Sequence, residues 1–232
     1  MMKLVELKDL LNGKSIEDQL NTLVSQFSGQ VVFTTSLGLE DQAITHKIFS
    51  NNLDIKVVTL DTGRLFPQTY EVMSKTIIKY NKKIHITFPD KNSIEKMVTE
   101  KGPFSFRESV ENRKECCNLR KVLPLSRALE GMKCWISGIR SDQSEDRDHM
   151  DWLEYDETKK IFKFYPIFDW SYDDVKIFIK ENNVPYNTLH DKGYLSIGCE
   201  PCTKAVRPGA SFRSGRWWWE DDTKKECGLH IS

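Results

Sequence analysis

The stretch that decides the fold is Gln30-Val31-Val32-Phe33-Thr34-Thr35, which leads directly into Ser36-Leu37-Gly38-Leu39-Glu40-Asp41. The first six residues form a short β-branched run that predicts a buried strand, and a helical pattern follows over residues 42–49. A strand, a glycine-containing turn and a helix N-terminus place backbone N–H groups beside the positive end of a helix dipole. This arrangement suits a phosphate or sulfate, although many such turns only connect a strand to a helix.

The strand and helix unit then repeats along the chain. The further predicted elements are a helix that begins at Ser15, strand 55–60, helix 67–79, strand 84–88, helix 93–101, helix 122–129, strand 134–139 and a helix from Ser171 to about residue 181. Strands that alternate with helices predict an α/β fold with a parallel twisted sheet flanked by helices. Ligands of such sheets bind beyond the carboxyl ends of the strands, where the turns 36–41 and 61–64 lie.

Length and charge set the first limits on domains and partners. A chain of 232 residues is long enough for one sizeable core, and we expect one domain over residues 1–216 and a flexible C-terminal tail over 217–232. Lys and Arg number 34, as do Asp and Glu, so no global field points to nucleic acid or to a membrane. Basic residues are concentrated locally, at Lys204, Arg207, Arg213 and Arg216.

The start of the chain and the cysteines indicate the compartment. Met1-Met2-Lys3-Leu4-Val5-Glu6 lacks the apolar region of a secretory signal, and no apolar run approaches the ~18 residues of a membrane span. We therefore expect a cytoplasmic protein. Six cysteines in a reducing compartment are better explained as metal ligands or catalytic thiols than as a disulfide framework.

Four of the cysteines form two close pairs, Cys116-Cys117 and Cys199-Glu200-Pro201-Cys202. Zinc sites usually take each pair at C-x2-4-C spacing, whereas the first pair here has no spacer. A cubane presents irons at separate corners and accepts consecutive thiolates more easily than one tetrahedral ion does, so the spacing favours [4Fe-4S] over zinc. Reduced structural thiols remain a third interpretation.

The other two cysteines have different surroundings. Cys134 sits among apolar neighbours and is interpreted as a core residue. Cys227 stands alone near the C-terminus, where Lys224, Lys225 and His230 favour its thiolate. By itself it is as easily an incidental exposed thiol as a nucleophile, and the preceding Trp217-Trp218-Trp219 run is interpreted as core or oligomer contact.

Several motifs together resemble one enzyme family. ECCNLRK around Cys116, GCEPC from Gly198, RPGASFRSGRWWWE from Arg207 and the terminal KKECGLH are similar to the assimilatory adenylyl-sulfate (APS) reductases of the APS/PAPS reductase family. LDTGRLFPQTY from Leu60, SGIRSDQS from Ser137 and the turn 36–41 resemble that family's nucleotide site. The resemblance implies an adenine nucleotide α-hydrolase-like fold with a modified PP-loop. ATP-using relatives carry SGGxDS, and Leu37 and Glu40 depart from that loop, which argues against an ATP-dependent adenylating enzyme.

The resemblance also implies roles for particular residues. It assigns Cys227 as the nucleophile and a [4Fe-4S] cluster to Cys116, Cys117, Cys199 and Cys202. The implied sulfate contacts are Lys121, Arg213 and Arg216. The implied nucleotide contacts are Ser36, Leu60, Thr62, Gly138 and Arg140.

The implied reaction is reduction of APS to sulfite and AMP through an S-sulfocysteine, with thioredoxin as the reductant, in sulfate assimilation and cysteine biosynthesis. The nearest alternative is the same oxidoreductase chemistry on PAPS, whose extra phosphate needs further cations. A redox-sensing iron-sulfur regulator without turnover is a third hypothesis, which leaves ECGLH without a purpose. The oligomeric state, a homo-oligomer included, is open at this stage.

Overall fold

The computed structural model describes residues 2–143 and 150–220. These residues form two compact units that alternate along the chain. The first unit contains the described residues of 2–59, 71–85 and 131–187, and the second contains those of 60–70, 86–130 and 188–220. The predicted division at residue 216 stays a prediction, because residues 221–232 lie outside the described part of the chain.

Every predicted helix and strand occurs in the predicted order, and the described residues contain two further helices and two further strands that were not predicted. The strands are β1 (Val31–Thr35), β2 (Lys56–Leu60), β3 (His85–Thr87), β4 (Cys134–Ile136), β5 (Leu153–Asp156) and β6 (Ile161–Phe164). The helices are α1 (Leu4–Leu11), α2 (Ile16–Gln26), α3 (Leu39–Ser50), α4 (Pro67–Tyr80), α5 (Lys91–Lys101), α6 (Val110–Cys117), α7 (Leu123–Leu129) and α8 (Tyr172–Glu181). A π-helical turn, Asn118–Val122, joins α6 to α7.

The sheet has the strand order β3-β2-β1-β4-β6-β5. β1 pairs in parallel with β2 and with β4, and β4 pairs in parallel with β6, which confirms the predicted parallel sheet. β5 departs from that prediction because it forms an antiparallel hairpin with β6. An antiparallel edge strand on an otherwise parallel sheet is common in α/β proteins.

Local signals explain most of the element boundaries. Ser15 caps α2 as predicted, because its Oγ accepts a hydrogen bond from the backbone N–H of Asp18 at 3.2 Å. α3 begins at Leu39 rather than at residue 42, since Gly38 takes the N-cap position. β3 is shorter than predicted, and its first two residues are exposed.

The sequence analysis missed the helix that carries the first cysteine pair. α6 has the sequence VENRKECC, in which charged and polar residues leave no apolar periodicity to detect. Its start is nevertheless capped, because Ser109 Oγ accepts from the backbone N–H of Asn112 at 3.1 Å. The π-helical turn that follows belongs to a class of distortion that is frequent at functional sites.

Each unit has its own apolar core. The core of the first unit is formed by β1, β4, β6 and the helices that pack on them, and Cys134 is completely buried in it. The second unit has a smaller core, which consists of Met97, Phe106, Cys116, Cys117, Cys199, Cys202 and Trp217. Within residues 2–143 and 150–220, no helix combines the length and the hydrophobicity that crossing a bilayer requires.

Candidate functional site

The second unit brings the two cysteine pairs together, as the sequence predicted. Cys116 and Cys117 end α6, while Cys199 is the N-cap of the single turn Glu200–Cys202 and Cys202 is its last residue. All four side chains are 7–9% exposed and line one small cavity that is partly open to solvent. The remaining lining residues are Arg64, Phe106, Arg113, Arg120, Lys121 and Trp217.

Helical spacing places three of the cations around the first cysteine pair. Arg120 follows Cys116 by four residues, and Lys121 follows Cys117 by four. Arg113 precedes Cys117 by the same interval, so helical geometry places all three near the thiols. The sequence analysis selected only Lys121, although the i±4 spacing could have identified the other two. Arg64 comes from a separate loop, which no local pattern could have connected to this cavity.

Two of these guanidinium groups have a buried nitrogen without a hydrogen-bond partner among the described residues. These atoms are Arg64 Nη1 and Arg120 Nε. A buried donor without an acceptor is costly, so such atoms indicate an acceptor that binds there. Four thiolates and an iron-sulfur cluster carry negative charge and accept hydrogen bonds, so the donor set and its surroundings fit a cluster.

The arrangement of possible metal ligands among the described residues differs from the one that a single metal ion requires. Within residues 2–143 and 150–220, no three His, Cys, Asp or Glu side chains are grouped as they would be around one metal ion. In a cubane each of the four thiolates binds a different iron. The five described cysteines are all thiols.

The charges around the cavity act differently on the individual thiols. For Cys199, burial is the largest influence and opposes ionisation, but Lys121, the Thr62 hydroxyl, Arg216 and Arg120 together outweigh it and lower the pKa. Burial and the charge of Cys199 raise the pKa of Cys202 to about 12. The Cys199 thiolate is therefore the more favoured of the two in the second pair.

Thr62, a predicted nucleotide contact, lies against the cysteines in this structure. Its Oγ1 is 3.3 Å from Cys199 Sγ, and its backbone carbonyl accepts a hydrogen bond from Arg120 Nη1 at 2.6 Å. Leu60, at the end of β2, is partly exposed. The predicted roles of both residues toward a nucleotide stay predictions, and the contact of Thr62 with Cys199 is one that the sequence did not predict.

The basic segment lies beside the second cysteine pair because of backbone pairing. Thr203 and Arg216 form an antiparallel bridge, and the backbone N–H of Trp217 donates to the Cys202 carbonyl at 3.1 Å. The Arg216 guanidinium then lies so close to Gly198 that a Cβ there would be 2.2 Å from Nη2. Of the predicted sulfate contacts, Lys121 lines the cavity and Arg216 adjoins it. Arg213 lies 5.9 Å from the Trp217 ring centroid.

In the first unit, N–H groups of the turn after β1 already donate hydrogen bonds to nearby side chains. The N–H of Ser36 donates to Asp41 Oδ2 at 2.5 Å, and that of Leu37 donates to Thr35 Oγ1 at 3.0 Å. Leu37 has φ 62° with its side chain buried, a conformation that glycine adopts more easily. An anion would bind to these N–H groups only in exchange for the present hydrogen bonds.

Gly138 and Arg140 lie against the same turn. A Cβ at Gly138 would be 2.3 Å from Asp41 Oδ1, so this position needs glycine for packing whatever it contacts in a complex. Arg140 is buried and pairs with Glu40 Oε1 through Nε at 3.1 Å and Nη2 at 3.0 Å, and with Asp142 through Nη1. Glu40, one of the departures from SGGxDS, is therefore the partner of a predicted nucleotide contact.

Asp41 gives a prediction for the pH dependence of stability. Burial raises its pKa to about 6, despite the hydrogen bonds from Ser36 and Gly138. Because the folded pKa exceeds the ordinary 3.8, this group's contribution to stability is complete below about pH 3.8 and is lost as the pH rises through 6. Two pKa units correspond to about 3 kcal/mol.

We expect the free energy of unfolding of Asp41→Asn, relative to the unsubstituted protein, to increase by about 3 kcal/mol between about pH 3.5 and pH 7.5. The amide is neutral throughout this range, so only the unsubstituted protein loses the contribution. Urea unfolding at several pH values measures the difference. Parallel curves for the two proteins would show that Asp41 ionises normally.

The two remaining cysteines differ in what the structure shows. Cys134 is in β4 with no exposed surface, and burial raises its pKa well above the ordinary range, which confirms the predicted core thiol. Cys227 lies outside the described residues, so its role as the nucleophile stays a prediction.

Comparison with known proteins agrees with these features. Residues 30–205 match the phosphoadenosine phosphosulfate reductase domain family. The chain is 46% identical over 226 residues to the adenosine 5'-phosphosulfate reductase of Sinorhizobium fredii (strain NBRC 101917 / NGR234), covering 97% of this chain and 90% of the relative.

Two solved structures show the fold. The phosphoadenylyl-sulfate (PAPS) reductase of Candida auris, in a phosphate complex, has a TM-score of 0.74 and 29% identity, covering 89% of this chain and 98% of that one. The FMN adenylyltransferase of Candida glabrata has a TM-score of 0.55 at 13% identity, covering 99% and 86%. These likenesses confirm the predicted nucleotide-hydrolase-like fold. With a family match over most of its length and a relative at 46% identity, the chain belongs to the phosphoadenosine phosphosulfate reductase family.

Proposed function

We propose that this protein is an adenylyl-sulfate reductase, which reduces APS to sulfite and AMP in sulfate assimilation. The observation that carries the proposal is the cavity of the second unit, where four buried cysteines from two distant stretches meet Lys121 and three arginines. The name of the Sinorhizobium fredii relative supports APS as the substrate. We further place the reaction in the cytoplasm, where the thiols stay reduced.

We assign a [4Fe-4S] cluster to Cys116, Cys117, Cys199 and Cys202. When bound, the cluster supplies a structural and electrostatic centre and need not carry electrons in the reaction. Its negative charge is matched by the cations that line the cavity, and Lys121 lies among them. Lys121 is thereby held at a defined place, from which its ammonium group can also neutralise a bound sulfate.

The first step is a thiolate attack on the substrate. The Cys227 Sγ attacks the sulfur of the APS sulfate group, and a new S–S bond forms. The bond from that sulfur to the bridging phosphate oxygen breaks, and its electron pair leaves with AMP. Lys121, Arg213 and Arg216 offset the negative charge on the sulfate and on the departing phosphate, as preorganised cations do in other group transfers.

The second step releases sulfite and requires an external dithiol. One thiolate of thioredoxin attacks Cys227 Sγ, and sulfite leaves with the electron pair of the S–S bond. The second thiolate of thioredoxin then resolves the mixed disulfide and restores the Cys227 thiolate. Thioredoxin becomes a disulfide, and its two electrons account for the reduction of sulfate sulfur to sulfite.

The decisive assay compares sulfite formation from APS with sulfite formation from PAPS. PAPS is the second candidate, because the Candida auris structure is that of a PAPS reductase at 29% identity. We expect sulfite formation from APS with thioredoxin to exceed that from PAPS at equal concentrations. A preference for PAPS would support the second candidate, and no sulfite from either substrate would support a regulator without turnover.

The predicted sulfate contact Arg213 can be tested by binding. We expect Arg213→Ala to weaken APS binding by about ten- to a hundredfold while AMP binding changes little, because AMP lacks the sulfate that the arginine contacts. Arg207→Ala is the matched control, since Arg207 is an exposed arginine of the same basic segment. Equal losses of APS and AMP affinity would instead place Arg213 on the nucleotide or in the scaffold.

A further inference from the structure

The second unit contains a buried ion pair that the reaction described above does not use. Arg113 Nε lies 2.8 Å from Glu220 Oε1, and Arg113 Nη2 lies 2.9 Å from Oε2. The two side chains are 0% and 6% exposed. Burial of two charges is costly, and removal of one partner leaves the other uncompensated, so the pair is sensitive to a single substitution.

Arg113 connects this pair to the cysteine cavity. Its guanidinium lies 4.6 Å from the centroid of the Trp217 ring and donates a hydrogen bond to the side chain of Cys117. The fork of an arginine can hold a carboxylate with two parallel N–H groups while a third direction reaches another acceptor. One side chain therefore contacts both a candidate cluster ligand and Glu220.

Glu220 belongs to a tight turn, Trp217–Glu220, which we call the anchor turn. The backbone N–H of Glu220 donates to the Trp217 carbonyl at 2.9 Å, and the backbone N–H of Trp217 donates to the Cys202 carbonyl at 3.1 Å. Trp217 has φ 41°, an unfavourable conformation for a bulky residue that persists only where the surroundings enforce it. The anchor turn is thus fixed to both cysteine pairs, to Cys117 through Arg113 and to Cys202 through Trp217.

The anchor turn also fixes a point in the chain. Glu220 precedes Cys227 by seven residues, and seven residues span at most about 25 Å when fully extended. The effective concentration of a tethered group depends on where its tether begins and on how far the tether reaches. Displacement of the origin therefore changes how often the thiol meets a bound substrate, without a change in the substrate site.

We propose that Arg113 and Glu220 are positioning residues for Cys227. They hold the origin of the C-terminal segment beside the cysteine cavity, so that delivery of the thiol depends on one ion pair. The proposal rests on the proposed function, because it assumes that Cys227 attacks APS. In this proposal the anchor turn links the cavity to the C-terminal segment, in addition to the role of Trp217 in the core.

The test compares Glu220→Gln with Glu115→Gln. Glu115 adjoins Cys116 but forms a partly exposed ion pair with Lys101 at 2.6 Å, so its substitution is a matched control. For Glu220→Gln we expect iron content and visible absorption to be unchanged and APS affinity, measured in a Cys227→Ser background, to stay within about twofold. The rate of AMP release in a single turnover should fall by about ten- to a hundredfold, the scale on which small displacements act. Glu115→Gln should leave all of these unchanged.

A second readout does not depend on activity. Amide hydrogen exchange of the N–H groups of Trp217 and Glu220 should be faster in Glu220→Gln than in the unsubstituted protein, because the turn loses its buried partner. Arg113→Lys is the alternative variant if Glu220→Gln does not fold. It keeps the positive charge but loses the two parallel N–H groups of the guanidinium, and it should also lower the rate of AMP release.

The outcomes separate the two proposals. If the unsubstituted protein releases AMP and Glu220→Gln releases it at the same rate, the positioning role is overturned and the proposed function stays intact. Loss of iron in Glu220→Gln, in proportion to the lost rate, would overturn it too, because the pair would then serve the cluster alone. No AMP release from APS by the unsubstituted, iron-loaded protein would overturn the proposed function itself.

Discussion

Replacement of Cys227 by serine is expected to stop AMP release from APS while APS binding and the iron content stay unchanged. A serine hydroxyl near neutral pH is a far poorer nucleophile than a thiolate, so the covalent intermediate does not form. Loss of the nucleophile from other covalent enzymes lowers kcat by on the order of 10⁶-fold. We expect AMP release to fall to background in a single-turnover assay.

The same assay on the unsubstituted protein supplies the complementary result. Without thioredoxin, it should release about one AMP per active site and then stop, because the S-sulfocysteine cannot be resolved by a second thiol of its own. Mass spectrometry should locate the added SO3 on Cys227. The adduct on any of the four cavity cysteines, or turnover by Cys227→Ser, would contradict the assignment of the nucleophile.

Replacement of Cys199 by serine is expected to remove the cluster and most of the activity. Cys199 is buried in the cavity, its sulfur contacts the Thr62 hydroxyl, and the cations around it favour its thiolate. Fe–S clusters are held by cysteine thiolates, so an alcohol at this position leaves one iron without its ligand. The anaerobically purified, unsubstituted protein should contain about four irons and four labile sulfides per chain, and Cys199→Ser close to none.

Cys134→Ala is the control for this prediction. Cys134 is buried in the core of the first unit, where alanine removes only one sulfur atom from an apolar environment. The variant should keep its iron and its activity, at a small cost in stability. Loss of the cluster in Cys134→Ala, or one zinc per chain and no visible absorption in the unsubstituted protein, would contradict the ligand assignment.

Local patterns in the sequence were sufficient for most of the strands and helices. The β-branched run of β1, the cap at Ser15 and the cap at Ser171 each act over a few residues, and each was confirmed in the structure. α6 was missed because its charged sequence gives no periodic signal, and its helix depends on the core that Cys116 and Cys117 enter. The hairpin of β5 and β6 was also missed, and its antiparallel direction depends on the pairing of these two strands.

The sequence by itself determined which residue types are available: four paired thiols, one isolated thiol and a basic segment. Their arrangement in the cavity was decided by the tertiary structure. Arg113 and Glu220 are 107 residues apart in the chain, and Arg140 and Glu40 are 100 residues apart. No spacing rule over three or four residues reaches such pairs, because they form only when strands and helices pack together. Chain order thus fixed the chemistry that the protein can perform, and long-range packing fixed which charges stand beside the cysteines.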